Sequence, residues 1–360
     1  MTIKSPLLSR PGAVEAAGAD AGVAAHYGEP LREQRALAAG TAVVDLSQRG
    51  VVTVTGPDRL SWLNTLSSQQ LTALAPGQST ELLLLSVQGR IEFDARVLDD
   101  GATTWLIVEA AEAAPLAEWL TRMKFMLRVE VADVSADWAV LGSTRPVPDW
   151  AGLQVWEDPW PHVGAGGYSY AVVGEDAHPG LERPWFEYLV PAAELEATVG
   201  ERPLAGVLAA EALRIAAWRP RWGAETDDKT IPHELDLLRT AVHLAKGCYK
   251  GQETIARVHN LGHPPRRLVF LQLDGSQHTL PTVGSEVRAG ERKVGTVTSV
   301  AQHFEMGPVA LAVIKRSVAP DEVLTVMDGE EPYTAAQEPI VAPDAGQVVG
   351  RQTGFLRGTR

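Results

Sequence analysis

Apolar and polar positions alternate along "GTAVVDLSQRGVVTVTG" (Gly40–Gly56), which predicts two strands broken at a Ser-Gln-Arg-Gly turn. In "GPDRLSWLNTLSSQQL", Leu60, Trp62, Leu63 and Leu66 gather on one side at helical spacing, and Pro57–Asp58 suits a helix start. "TELLLLSVQGRIEFDARVLDDG" predicts two strands joined at Gln88–Gly89, "TTWLIVEA" another strand, and "APLAEWLTRMKFM" an amphipathic helix. Residues 40–130 therefore predict one α+β unit with non-parallel strands. A second unit of similar flavour starts near Trp138, with strands in "WAVLGS", "YSYAVVG" and "WFEYLVP" and helices in "AAELEATVG" and "LAGVLAAEALRIAAW". A long loop, Val147 to Gly167, interrupts it, and the likeness of the two units suggests a distant duplication. After Gly262 the pattern changes. "RRLVFLQLDG", "SEVRAGERKVGTVTSV" and "VALAVIKR" are short alternating strands with Gly turns, a small all-β module. Residues 1–25 show no period and predict a loose lead-in; the stretch beyond Asp328 predicts a weakly ordered tail.

Composition narrows the class. A chain of 360 residues usually makes two or three domains. With 45% hydrophobic and 21% charged residues it can bury a sizeable core. A net charge of −13 repels phosphate, so no direct nucleic-acid partner and no membrane partner is expected. The single cysteine excludes an intrachain disulfide framework and any four-cysteine metal site. The N-terminus lacks the apolar core of a secretory signal, and no run of about 18 apolar residues appears. A soluble cytoplasmic protein is expected.

Three segments carry candidate chemistry. In "AKGCYKGQETIARVHN", Cys248 lies between Lys246 and Lys250, and a helix from Gly251–Gln252 would point its amides back at the sulfur. Nearby cations and a helix N-terminus lower a thiol pKa, which suits a reactive thiol; a buried small hydrophobe is the competing reading. His243, Cys248, His259 and His263 form only a weak metal constellation, and no triad, Walker loop or dinucleotide fingerprint is present. In "RPWFEYLVP", strand alternation puts Glu187 on the face of Trp185 and Leu189. A carboxylate there needs a planar donor pair, either an arginine or the amino-pyrimidine edge of a pterin. In "EALRIAAWRPRWGAETDDKTIPHEL", Arg214, Arg219 and Arg221 sit beside Trp218 and Trp222. They form either a solvated cationic loop or a cradle for a ligand with a glutamate tail.

"KGCYKGQETIAR" resembles the signature of the YgfZ-type folate-binding proteins, and "VVDLSQRGVVTVTGPDRLSWLNTLSSQ", "QGRIEFDARV", "FEYLVP", "LRIAAWRPRWGAETDDKTIPHE" and "VGTVTSVAQHFEMGPVALAVIKR" agree in order over roughly residues 25–316. That family is similar to the glycine cleavage T-protein, an aminomethyltransferase. The resemblance implies an α+β fold: two folate-binding-type lobes and a small C-terminal β-barrel in a three-lobed ring around a central channel. It places the folate-binding region at 1–262 (lobes of about 25–137 and 138–262, with room for chain exchange), the barrel at 263–327 and the tail at 328–360. It implies tetrahydrofolate, or a one-carbon derivative, as cofactor, and iron–sulfur client proteins as partners, some of them tRNA-modifying. Residue by residue it implies that Glu187 holds the pterin and that Arg214 helps position the folate. Tyr249, Gln252 and Glu253 belong to the signature near the folate; Cys248, assisted by Lys246, faces the channel. Asp94 falls where the T-protein has an Asp-Asp pair that assists the folate nitrogen. Phe93 replaces the first member of that pair, which weighs against aminomethyl transfer, and Trp218 replaces a small residue on the channel wall. The expected function is folate binding in support of iron–sulfur cluster assembly or repair. The alternatives are an aminomethyltransferase and an interaction module that has lost folate.

Overall fold

The computed structural model describes residues 4–277 and 279–346. In chain order its strands are β1 (Val14–Glu15), β2 (Ala24–His26), β3 (Val43–Asp45), β4 (Gly50–Thr55), β5 (Ser79–Leu85), β6 (Ile91–Asp99), β7 (Thr103–Val108), β8 (Glu130–Asp133), β9 (Trp138–Ser143), β10 (Gln154–Glu157), β11 (Phe186–Pro191) and β12 (Leu204–Ala205). The remaining strands are β13 (Arg266–Leu273), β14 (Glu286–Ala289), β15 (Arg292–His303), β16 (Gly307–Lys315), β17 (Leu324–Asp328) and β18 (Glu331–Pro339). The α-helices are α1 (Pro30–Ala38), α2 (Arg59–Leu66), α3 (Ala110–Met123), α4 (Leu195–Val199), α5 (Val207–Ala216) and α6 (Gln252–Leu261).

Two five-stranded sheets and a closed barrel organise the chain. One sheet runs β5-β6-β7-β4-β8, the other β10-β11-β9-β3-β12, and the barrel closes as β13-β16-β15-β14-β17-β18. The chain crosses between the sheets at the Ser-Gln-Arg-Gly turn: β3 lies in one sheet and β4 in the other. Asp45 fixes that turn by accepting from the Ser47 N–H at 3.0 Å, an Asx-type contact.

Strand alternation then divides each sheet. Val51, Leu98, Trp105 and Ile107 of one sheet and Val44, Val140, Trp156, Trp185 and Leu189 of the other merge into one core. The opposite faces pack separately, one under α2 and α3 with Leu82, Leu84 and Val97, the other with Leu141, Tyr188 and Val190. Trp156 is wholly buried and its Nε1 donates to the Thr80 carbonyl at 2.7 Å, stitching the two sheets together. Each such large apolar side chain contributes about 1.5–3 kcal/mol by leaving water. The sheets meet face to face, so any charged side chain on an inner face lies at the centre of the protein.

Several expectations need correction. Residues 331–339, expected in the tail, form the last barrel strand; Tyr333 and Ala335 point into the barrel core between outward polar residues, an alternation muted by small side chains. The tail beyond residue 346 lies outside the described residues. The lead-in is held: Leu7 and Val23 are wholly buried and β1 pairs with β2. "YSYAVVG" is not a strand and makes only an isolated bridge, Ala171 to Val341, while the preceding loop supplies β10 instead. Its Tyr170 joins the core between the lobes and barrel, so burial there is met without a sheet.

Gly142 shows how tight the inner face is. A Cβ there would lie 2.7 Å from Trp185 Cζ2 and 2.8 Å from Val44 Cγ1. Gly142→Ala should destabilise the protein by about 1–3 kcal/mol through overpacking, read as a lowered urea midpoint with unchanged slope.

Candidate functional site

Charges gather where the inner faces meet. Glu187, in the middle of β11, is wholly buried. Its Oε1 accepts from Trp185 Nε1 at 2.9 Å and lies 3.5 Å from both Arg49 Nη1 and Arg96 Nε. Its Oε2 has no hydrogen-bond partner. Burial raises the Glu187 pKa, but the Arg49 and Arg96 charges more than offset this and hold it below the usual range. Glu109, just before α3, is bound by Arg221 at 2.6 Å and approached by Arg49 at 3.5 Å and Arg96 at 3.7 Å. The Glu109 Oε1 and the Arg49 Nε and Nη1 lack hydrogen-bond partners. Buried unpaired donors and acceptors cost about 1–3 kcal/mol each. Here both kinds stand together.

Asp94 occupies the same inner face, on β6. Burial raises its pKa well above normal, and the neighbouring Glu81 charge raises it further against the pull of Arg219 and Arg96. Glu81 is itself held by Arg219 Nη2 and Thr240 Oγ1, each at 2.5 Å. Burial and the Glu81 charge both favour the protonated form of Asp94. Its Oδ1 has no partner. Asp94 and Arg96 remain partly accessible although protein surrounds them, so they face an internal space rather than a packed core. The Asp94 N–H donates to Glu112 at 2.8 Å, which fixes β6 to the first turn of α3; burial pushes the Glu112 carboxyl up to about 9. Phe93 points the other way, against Trp119 at 6.5 Å.

A cavity of about 940 Å³ opens against this cluster, walled by Gln48 and Arg49 of the crossover, Glu109 and alanines of α3, and Arg221–Ala224. That volume suits a drug-sized ligand. Glu187 does not line the cavity; Arg49 does. Arg49 and Arg96 are ion-pair neighbours of Glu187 at 3.5 Å, and of the three only Arg49 lines the cavity.

The other expected site residues separate. Arg214 donates to Glu211 at 2.8 Å, Glu225 at 3.0 Å, the Arg219 carbonyl at 2.7 Å and Ser299 of β15 at 2.6 Å. It clamps α5 to the barrel and has no donor to spare. Lys246 gives its ammonium to the Asn64, Ser67 and Gln69 carbonyls at 2.5, 2.6 and 2.8 Å, and burial lowers its pKa to about 8. Tyr249 is buried in the core under Lys246. Gln252 opens α6 and donates to the Lys246 carbonyl at 3.2 Å; Glu253 is exposed on the next position. Cys248 is exposed, which overturns the buried-hydrophobe reading, and it is not among the residues that wall the 940 Å³ cavity. The reason is local: Lys246 pins one side of the turn, and Gly251, at φ +87°, packs on Ser86 and Gly89, so residues 247–248 project outward.

Sequence reasoning missed Arg49, Arg96, Glu81 and Glu109. One signal was present: Asp94, Arg96 and Leu98 share a strand face, and two charges on an apolar face need partners.

Residues 17–144 match the GCVT N-terminal domain family. An aminomethyltransferase of Corynebacterium aurimucosum is 27% identical over 317 residues, covering 80% of this chain and 82% of its own length. One from a Nostoc species is 28% identical over 307 residues, covering 80% of each. The crystal structure of glycine cleavage system aminomethyltransferase T from Bartonella henselae superposes with a TM-score of 0.72 at 18% identity, covering 93% of this chain and 95% of that one. The chain has the aminomethyltransferase T fold. These matches support a T-protein-like architecture and are silent on the YgfZ-type assignment and on iron–sulfur chemistry. Among the described residues no helix is long and apolar enough to cross a membrane.

Glu211 provides a pH test of the ion network. Burial raises its pKa, and Arg214 and Arg221 then pull it down to about 2. A carboxyl depressed in the folded state contributes stability above its unfolded value of 4.5, lost as pH falls toward about 2. Glu211→Gln should therefore cost about 3 kcal/mol at pH 7. The gap to the parent protein should close between pH 4.5 and pH 2 in urea titrations.

Proposed function

We propose that this chain is a folate-dependent protein of the aminomethyltransferase type, holding tetrahydrofolate in the cavity walled by Arg49 and Glu109. The observation that carries the reading is a cluster of unpartnered buried donors and acceptors: Arg49 Nε and Nη1 and Glu109 Oε1 on the cavity wall, with Glu187 Oε2 and Asp94 Oδ1 of the same charge cluster outside that wall. A pterin ring carries N–H and carbonyl groups along one edge, so it needs acceptors and donors side by side. Glu187 and Glu109, both kept ionised by arginines, would accept; Arg49 would donate once it turns from Glu187 toward the cavity. Bound tetrahydrofolate supplies the nucleophilic nitrogen that takes a one-carbon unit. Asp94, whose carboxyl is pushed up by burial and by Glu81, would give its proton to the amine that leaves as the one-carbon unit moves to that nitrogen. One retained carboxyl is enough for acid assistance of this kind, so the Phe93 replacement does not remove it. The identities to aminomethyltransferases favour this transfer reading over a purely supporting role.

Calorimetry with tetrahydrofolate should give saturable binding. Glu187→Gln should weaken it by about 1–3 kcal/mol, and an unchanged affinity would remove Glu187 from the site. With an aminomethyl donor, Asp94→Asn should lower turnover by about 100-fold or more at near-constant folate affinity. Absence of any methylene-tetrahydrofolate from the parent protein sinks the transfer reading.

A second reading, support of iron–sulfur client enzymes, is favoured by one observation: the Lys-Gly-Cys-Tyr turn presents its thiol outward, where a large partner can reach it. Cys248→Ser should leave folding and tetrahydrofolate affinity unchanged while lowering client activity in extracts depleted of the native protein. Full client activity with the serine variant would end that reading.

A further inference from the structure

We propose a second ligand site, one that takes a small zwitterionic amino acid. It is a pocket of about 480 Å³ between the 176–183 loop, the end of α5 and the β15–β16 hairpin. Its assignment as a binding site stands by itself and needs no transfer step.

Two buried donors without acceptors border the pocket. His178 is 1% exposed, and its Nδ1 accepts the Gly180 N–H at 3.0 Å. A neutral imidazole then carries its proton on Nε2, and that N–H has no partner. Burial, with the Arg239 charge, lowers the His178 pKa to about 3, which keeps the ring neutral. Arg183 is 8% exposed and stacks on Trp185 at 4.0 Å. Its nearest carboxylate, Asp158, is 3.6 Å away, and its Nε–H is unpartnered. An under-compensated guanidinium and an imidazole N–H together call for an anionic acceptor, and a carboxylate supplies two oxygens.

The mouth of the pocket has the opposite character. Glu182 and Glu305 are exposed, come from different elements, and both line the pocket near His303. Two carboxylates there repel a simple anion and attract an ammonium. Trp218 and Phe304 supply apolar wall between the two ends. The ligand that satisfies all three zones is short, with a carboxylate inward and an amine outward. Arg183 also borders a water-sized gap shared with Arg49 and Arg221, which line the 940 Å³ cavity.

N-methylglycine is the probe, titrated into the full chain by calorimetry and followed by tryptophan fluorescence, with acetate and methylamine as single-charge controls. N-methylglycine should bind saturably and about tenfold tighter than either control. Arg183→Met should weaken it by about tenfold. Glu182→Gln, a change at an exposed position, should weaken N-methylglycine about threefold and strengthen acetate. No saturable signal up to about 50 mM overturns the site; equal affinity for acetate, or no effect of Glu182→Gln, overturns the zwitterion. Tetrahydrofolate binding without N-methylglycine binding removes this site alone, whereas the reverse removes the folate reading and leaves this one.

Discussion

Arg49, Arg96, Glu109 and Glu187 meet inside the contact between two β-sheets, and none of the four is tolerable there without the others. An isolated buried charge is prohibitive, and removing one partner of a buried pair typically costs about 3–5 kcal/mol. The four come from a crossover turn, a strand of each sheet and a helix start. Their mutual need fixes how the two sheets sit on one another, beyond what the shared tryptophan-rich core specifies. The same economy extends outward: Arg221 joins Glu109 to Asp20 in the lead-in, and Arg214 joins α5 to the barrel.

A centre of this kind stabilises less than an apolar one of equal volume would. Its polar atoms are also incompletely matched, with distances of 3.5 Å where a tight pair would close to about 2.8 Å. Such slack is what a ligand site requires. Groups that were fully satisfied by one another would have to be torn apart before a pterin could be held; loosely held groups exchange partners at small cost. Arg214 and Lys246 illustrate the contrary case. Every donor is used, and both act as clamps.

Much of the architecture was legible. The strand pairs around Gly89, the barrel and the α+β lobes follow from alternation and turn residues, because those signals are local. Burial on one face also marked Glu187 as needing a donor, though the sequence could not choose arginine over ligand. What was hidden depended on contacts distant in sequence. Lys246 reads as a neighbour of Cys248, yet its ammonium goes to carbonyls at Asn64–Gln69. Arg49 looked like a turn residue because nothing local reveals that β3 and β4 part into separate sheets. The last barrel strand escaped because Ala and Gln alternate too weakly to register.

That parting of β3 from β4 makes the two lobes inseparable as folding units. β3 takes its neighbours from β9 and from β12, the latter about 160 residues further along by their register of Val43 with Leu204. During synthesis the first half of the chain therefore leaves the ribosome with β3 beside β9 but without β11 and β12 to complete their sheet. A fragment ending at residue 144, where the recognisable family domain stops, would carry β3 and β9 but lack β10, β11 and β12. Its apolar inner face would stand open to whatever strand arrives first. Evolution can vary the barrel or the loops as modules, but the two lobes must be inherited, truncated or transplanted as one piece.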